Sequence, residues 1–278
     1  MELLISVHDA KDYLDKGQNV LFADCRFSLQ NPQEGEMLFK EEHVPGAAYF
    51  DLEKDLSGKV EDTGGRHPLP NIDVFIQKVE EAGINKDTTI IAYDDQRSAM
   101  ASRFLWLMKY LGHQRVYIMD GGLMAWKQNQ YPVTNSLEHI EMGKFQYDLH
   151  NELIATQHEV AEKIEDPTVA ILDSRAFERY AGWEEPIDDN AGHIPSAQNY
   201  FWKDLFEDGF WKSSDVLKAH FSNLEKYKEI IVYCGSGVTA TPNVVALWEA
   251  GFQNVKLYVG SWSDWITNPN NEIASVSK

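Results

Sequence analysis

Short β-branched and aliphatic runs alternate along this chain with longer stretches of helical spacing. Val20-Leu21-Phe22-Ala23, Thr89-Ile90-Ile91-Ala92-Tyr93 and Val116-Tyr117-Ile118-Met119 have the length and residue types of buried strands. Between them, apolar positions from Asp73 to Ala82 recur at the period of a helix, and Ala99 to Leu111 is apolar almost all round, which predicts a helix buried on every side. Glu229-Ile230-Ile231-Val232-Tyr233 is another strand. The helix after it is predicted from Thr239 to Ala250, with Thr239 as amino-terminal cap and Pro242 in the first turn, where its missing donor costs little. Strand and helix alternating in this way predict an α/β fold, with mainly parallel sheets flanked by helices.

The pattern occurs twice. Asp24-Cys25-Arg26 returns as Asp173-Ser174-Arg175, and His43-Val44-Pro45-Gly46-Ala47 as His193-Ile194-Pro195-Ser196-Ala197. The strand ending at Asp94 answers to the one ending at Cys234, and Gly121 to Trp126 answers to Gly260 to Trp265, all in the same order. Two tandem copies of one unit follow, 1–135 and 156–278, joined by a connection over 136–155 where the periodicity breaks. The first copy carries about ten extra residues within "KDLSGKVEDTGGRHPLP", residues 54–70. Residues present in both copies, His43 and His193, Arg26 and Arg175, Trp126 and Trp265, are expected to be architecture.

Charge narrows the partners. Lysine and arginine total 25 against 44 acids, a net charge of −19, so the surface repels nucleic acid and anionic membranes. No apolar run approaches the roughly 20 residues of a membrane span, and the amino terminus lacks the basic region of a signal peptide. Two cysteines, Cys25 and Cys234, do not make a disulfide framework, and the expectation is a soluble cytoplasmic protein with reduced thiols.

Chemistry concentrates at "YCGSGVTA", residues 233–240. Cys234 falls at the carboxyl end of a strand, where open α/β sheets bind ligands. Gly235 and Gly237 let successive amide hydrogens turn toward one centre, and the following helix start adds its dipole, so the segment should cradle an anion around a nucleophilic thiolate. A phosphatase of the Cys-x5-Arg type would need an arginine at the seventh position, where this chain has Ala240. The first copy has Asp94-Asp95-Gln96-Arg97 in place of Cys234-Gly235-Ser236-Gly237, so only the second copy carries a thiol there. Cys25, at the end of a buried strand, is expected to be structural.

"CGSGVTA" after an apolar strand, "HVPGA" paired with "HIPSA", the "GG…W" and "GSW…W" segments and the cysteine-free first loop together resemble the tandem-domain rhodanese family of sulfurtransferases. The resemblance implies two rhodanese-like domains, the first inactive. It also implies transfer of a sulfane sulfur from a small-molecule donor, through a Cys234 persulfide, to a thiol such as thioredoxin or to cyanide, with no metal or organic cofactor. The loop sequence is similar to that of the 3-mercaptopyruvate branch, with thiosulfate as the alternative donor; a non-enzymatic rhodanese-like binding module is the further alternative.

By that resemblance, the amides of Gly235, Ser236, Gly237, Val238 and Thr239 stabilise the outer sulfur. Arg179, upstream of "GHIP", contacts the donor's anionic group. The segment is about two residues shorter than the family's, and Ile187-Asp188 stands where a second arginine is expected. His67, in the insertion, faces the loop across the domain interface, and a Ser236–His67–Glu53 relay is expected, Glu53 standing where the family usually has aspartate and Asp51 lying close by.

Overall fold

The structure, a computed structural model, describes residues 2–95 and 97–278; Met1 and Gln96 of the first copy's loop lie outside the described residues. In chain order the first half contains β1 (Leu4–Ile5), α1 (Val7–Asp15), β2 (Val20–Asp24), α2 (Glu34–Glu41), β3 (Ala47–Tyr49), α3 (Ile72–Glu81), β4 (Thr89–Tyr93), α4 (Ala99–Tyr110), β5 (Val116–Met119) and α5 (Gly122–Gln128). The second contains β6 (Ile154–Ala155), α6 (Gln157–Lys163), β7 (Val169–Asp173), α7 (Phe177–Ala181), β8 (Gln198–Asn199), β9 (Phe206–Glu207), β10 (Phe210–Trp211), α8 (Ser214–Phe221), β11 (Glu229–Tyr233), α9 (Thr241–Glu249), β12 (Val255–Tyr258) and α10 (Ser261–Trp265).

Each half is built on one five-stranded parallel sheet, in the order β1-β5-β4-β2-β3 and β6-β12-β11-β7-β8, and the second adds the antiparallel pair β9-β10. The central strands β4 and β11 are apolar over nearly their whole length because both sheet faces are covered by helices. Ile154 pairs with Leu257, so the second sheet begins inside the segment read as connection; two residues are too short a strand to show alternation.

The repeat is reproduced bond for bond. Asp24 and Asp173 each hold the arginine two residues on, which reaches a backbone oxygen of Glu42 or Gly192. The rings of His43 and His193 stack on Phe39 and Tyr180 and bond the carbonyls of those same residues. Trp126 and Trp265 are buried and donate to Pro132 and Glu272 carbonyls. These buried polar groups are satisfied locally, which is what an architectural role requires.

The halves join through the helices that follow the two central strands. α4 packs on α9, all twelve residues of α4 are buried, and one hydrophobic cluster runs through Phe104, Leu107, Met108, Val244, Val245 and Leu247. The apolar character of α4 all round is thus met by its own sheet on one side and by the other domain on the other.

Candidate active site

β11 delivers Cys234 to the carboxyl edge of the second sheet, between β7 and β12. The chain then turns sharply: the Gly237 amide folds back to donate to Cys234 Sγ at 3.2 Å. Gly237 sits at φ +77°, and a Cβ there would meet the Val259 carbonyl oxygen at 2.1 Å, so glycine is required both by torsion and by space. The loop is anchored from below by the turn into α10, where Ser261 Oγ accepts from the Cys234 amide, Trp262 N donates to the Cys234 carbonyl and Ser263 N to that of Gly235. Val238 is buried and Thr239 half-buried. The expected cap is corrected: α9 starts at Thr241, its N-cap is Ala240 without a side-chain bond, and Val238 O accepts from both the amide and hydroxyl of Thr241. A tight loop supplies the first-turn bonds that a capping side chain would otherwise make.

The first half closes over this loop. Gly64 N donates to Asp264, and Arg66 N to Ser263 Oγ at 3.1 Å. Gly65, at φ +79°, passes so near the Gly260 carbonyl that a Cβ would lie 2.3 Å from it. This latch brings His67 Nδ1 to 2.9 Å from Ser236 Oγ. Burial, with the charges of Arg103 and Arg66, pushes His67 down to about 4, so its ring is neutral near pH 7 and accepts the serine proton or donates its own according to tautomer. The structure does not bring Glu53 to His67. Asp51 collects the amides of Glu53 and Lys54 on its own carboxylate, and that turn directs Glu53 to solvent. The expected relay is corrected to the pair Ser236–His67.

Two further arginines bear on the site. Arg103, the only arginine of α4, is fully buried and donates to the carbonyls of Leu56, His67, Pro68 and Gly237. Among the described residues no carboxylate pairs with it; burial lowers it to about 10, with Cys234 pulling in the opposite direction. One side chain thus ties the insertion to the cysteine loop and adds a buried positive charge coupled to Cys234. A lone arginine in "AMASRFLWLMKY" was the signal for it, since a helix without a polar face has nowhere to solvate a charge.

Above the loop, a Cβ built on Gly235 would lie 3.1 Å from Arg66 Nη2 and 3.5 Å from each terminal nitrogen of Arg179. The two guanidiniums converge there, one from each half. Arg179 bonds Glu185 at 2.7 Å and Asp188 at 3.0 Å, and Arg66 bonds the other oxygen of Asp188. Arg66 was missed in the sequence although it adjoins His67; only the fold shows that it reaches the second domain.

In the first copy's loop a carboxylate of the chain itself takes the amides. The Asp94 carboxylate accepts from the amides of Ser98 at 2.9 Å, Met100 at 2.8 Å and Ala101 at 3.0 Å, placing a permanent negative charge at the start of α4. Cys25 is fully buried, and burial beside Asp24 raises its thiol well above the ordinary range, against a thiolate there.

A cysteine loop at a strand end, closed over by a second half of the same fold, defines a class, and comparison with known proteins agrees. The sequence profile of the rhodanese-like domain matches residues 6–129 and 156–268, and the chain belongs to the rhodanese family. It is 41% identical over 263 residues to a probable 3-mercaptopyruvate sulfurtransferase of Pseudomonas aeruginosa, covering 92% of this chain and 93% of that one. It is 32% identical over 259 residues to the thiosulfate sulfurtransferase of Bos taurus, covering 90% and 86%. The crystal structure of SseA from Escherichia coli, a 3-mercaptopyruvate sulfotransferase, superposes with a TM-score of 0.82 at 29% identity, over 95% of this chain and 100% of that one. Among the described residues there is no helix long and apolar enough to cross a membrane and no cluster of metal-binding side chains.

Proposed function

We propose that this protein is a sulfurtransferase that takes a sulfane sulfur from 3-mercaptopyruvate onto Cys234 and passes it to a thiol, such as that of thioredoxin, or to cyanide. The observation that carries the reading is the loop itself: a thiol bonded by the Gly237 amide, a neutral Ser236–His67 pair beside it and two guanidiniums over Gly235.

The Cys234 thiolate attacks the donor's sulfur, the carbon–sulfur bond breaks, and its electron pair leaves as the enolate of pyruvate. The persulfide proton passes to that enolate, with Ser236 and His67 as the transfer path, and pyruvate departs. The outer sulfur keeps its negative charge facing loop amides and Arg103. An acceptor thiolate then attacks the outer sulfur, the sulfur–sulfur bond breaks, and Cys234 regains its thiolate while the acceptor becomes the persulfide. Arg179 and Arg66 hold the donor's carboxylate. Thiosulfate is the second reading, favoured by the bovine relative's activity, with sulfite as the leaving group. The two free cysteines suit reducing cytoplasm.

Donor without acceptor should add one sulfur atom to the peptide containing Cys234, removable by dithiothreitol. Cys234→Ser should abolish the addition and Cys25→Ser leave it intact. Sulfur mapped to Cys25, or none from either donor, sinks the reading. A higher kcat/KM for thiosulfate than for 3-mercaptopyruvate would exchange the two donors.

A further inference from the structure

Each arginine near the loop faces a negative group. Arg103 faces the sulfur, while Arg66, Arg175 and Arg179 face Asp173, Glu185 and Asp188. The acids of this cluster differ in what they do. Asp173 orients Arg175 and accepts that residue's amide, and Glu185 accepts the amides of Ile187 and Asp188 while bonding Arg175 and Arg179; both build the local fold. Asp188 directs its carboxylate at Arg66 and Arg179, one oxygen to each, and its side chain is only 4% exposed. Those are the two guanidiniums that converge over Gly235.

We propose that Asp188 is the donor-charge filter of this site, an internal carboxylate lodged between Arg66 and Arg179 where the donor's anionic group must bind. The proposal rests on the sulfurtransferase reading and names what sets its donor class. With Asp188 in place the cluster has no surplus positive charge. A monoanionic donor has only to share or displace one carboxylate. A dianion such as thiosulfate brings a second charge that no free guanidinium answers, close to a thiolate of the same sign. Removing the Asp188 charge frees one positive charge and favours the dianion.

The experiment compares the whole protein with Asp188→Asn and Asp188→Ser, using cyanide as acceptor and each donor in turn. Both variants should raise kcat/KM for thiosulfate about tenfold, the worth of one charge-assisted contact, and change that for 3-mercaptopyruvate by less than about threefold. An unmoved donor ratio overturns the proposal. So does an equal loss with both donors, which would make Asp188 a latch for Arg66. A second measurement needs no variant and no turnover. In the wild-type protein, sulfate should protect Cys234 from iodoacetamide no better than acetate does, within about threefold in concentration, because the cluster leaves no guanidinium for a second negative charge. Much stronger protection by sulfate than by acetate overturns the filter even if the protein proves to be an active sulfurtransferase, whereas failure of both donors to load Cys234 defeats the underlying reading.

Discussion

His67 Nδ1 and Ser236 Oγ stand 2.9 Å apart although they belong to different halves of the chain. Neither half alone holds the pair, which is brought together by the latch formed by residues 64–66. If the pair delivers a proton to the departing enolate, His67→Asn should lower kcat with 3-mercaptopyruvate by about a hundredfold. Thiosulfate releases sulfite, which needs no proton, so its kcat should change by less than about threefold. Steady-state rates with both donors test this; an equal loss would make His67 a support for the loop.

The same histidine makes stability depend on pH. Its ring is pushed from 6.5 to about 4 in the folded protein. Between those values the unfolded chain binds the proton and the folded one does not, so stability falls as pH drops from about 6.5 and the penalty is complete below about 4. Burial lowers His113, His193 and His220 as well, with the same sign. Thermal unfolding at pH 7 and pH 5 should therefore show a loss of melting temperature on acidification that is smaller in His67→Asn than in the wild type.

Arg103 is a buried cation held by four backbone carbonyls. Arg103→Met leaves those acceptors without a donor and should destabilise the protein by at least about 3 kcal/mol. It should also slow sulfur loading of Cys234, as the site loses a buried positive charge coupled to the sulfur. Arg103→Lys should retain more of the electrostatic effect than of the stability, because an ammonium cannot span the same four carbonyls. Denaturant melts and sulfur-loading rates of the two variants separate the roles.

Gly237→Ala places a methyl group 2.1 Å from the Val259 carbonyl at a positive φ. The loop must shift, and the Gly237 amide that now bonds Sγ moves with it. Sulfur loading of Cys234 should slow on the order of a hundredfold while far-ultraviolet circular dichroism stays near that of the wild type. Loading at the wild-type rate would show that the loop geometry is not what activates the thiol.

Arg66→Ala and Arg179→Ala should each raise KM for 3-mercaptopyruvate by about tenfold, since each removes one guanidinium from the same carboxylate. Their effects should be less than multiplicative in the double variant because the two act on one group. A variant with unchanged KM removes that arginine from the donor site.

By itself the sequence determined the architecture. Two in-order sets of motifs demand two copies of one fold. Apolar runs at strand and helix spacing demand parallel sheets between helices. A cysteine between a buried strand and "GSG" demands a tight loop at the strand end, because these are local consequences of periodicity and backbone torsion. The single exchange of Cys234 for Asp94 also told which half keeps the thiol. Only the tertiary structure decided the surroundings of that thiol. Which side chain of the insertion turns inward depends on the Asp51 turn, which sends Glu53 out, and on Gly65 pressed against Gly260, which sends Arg66 and His67 in. Arg103 acquired its role from the packing of α4 against the other domain. Asp188, read as the gap left by an arginine, became the counter-charge of two others. These are long-range electrostatic and packing choices, made where two halves meet, and no pattern within one segment carries them.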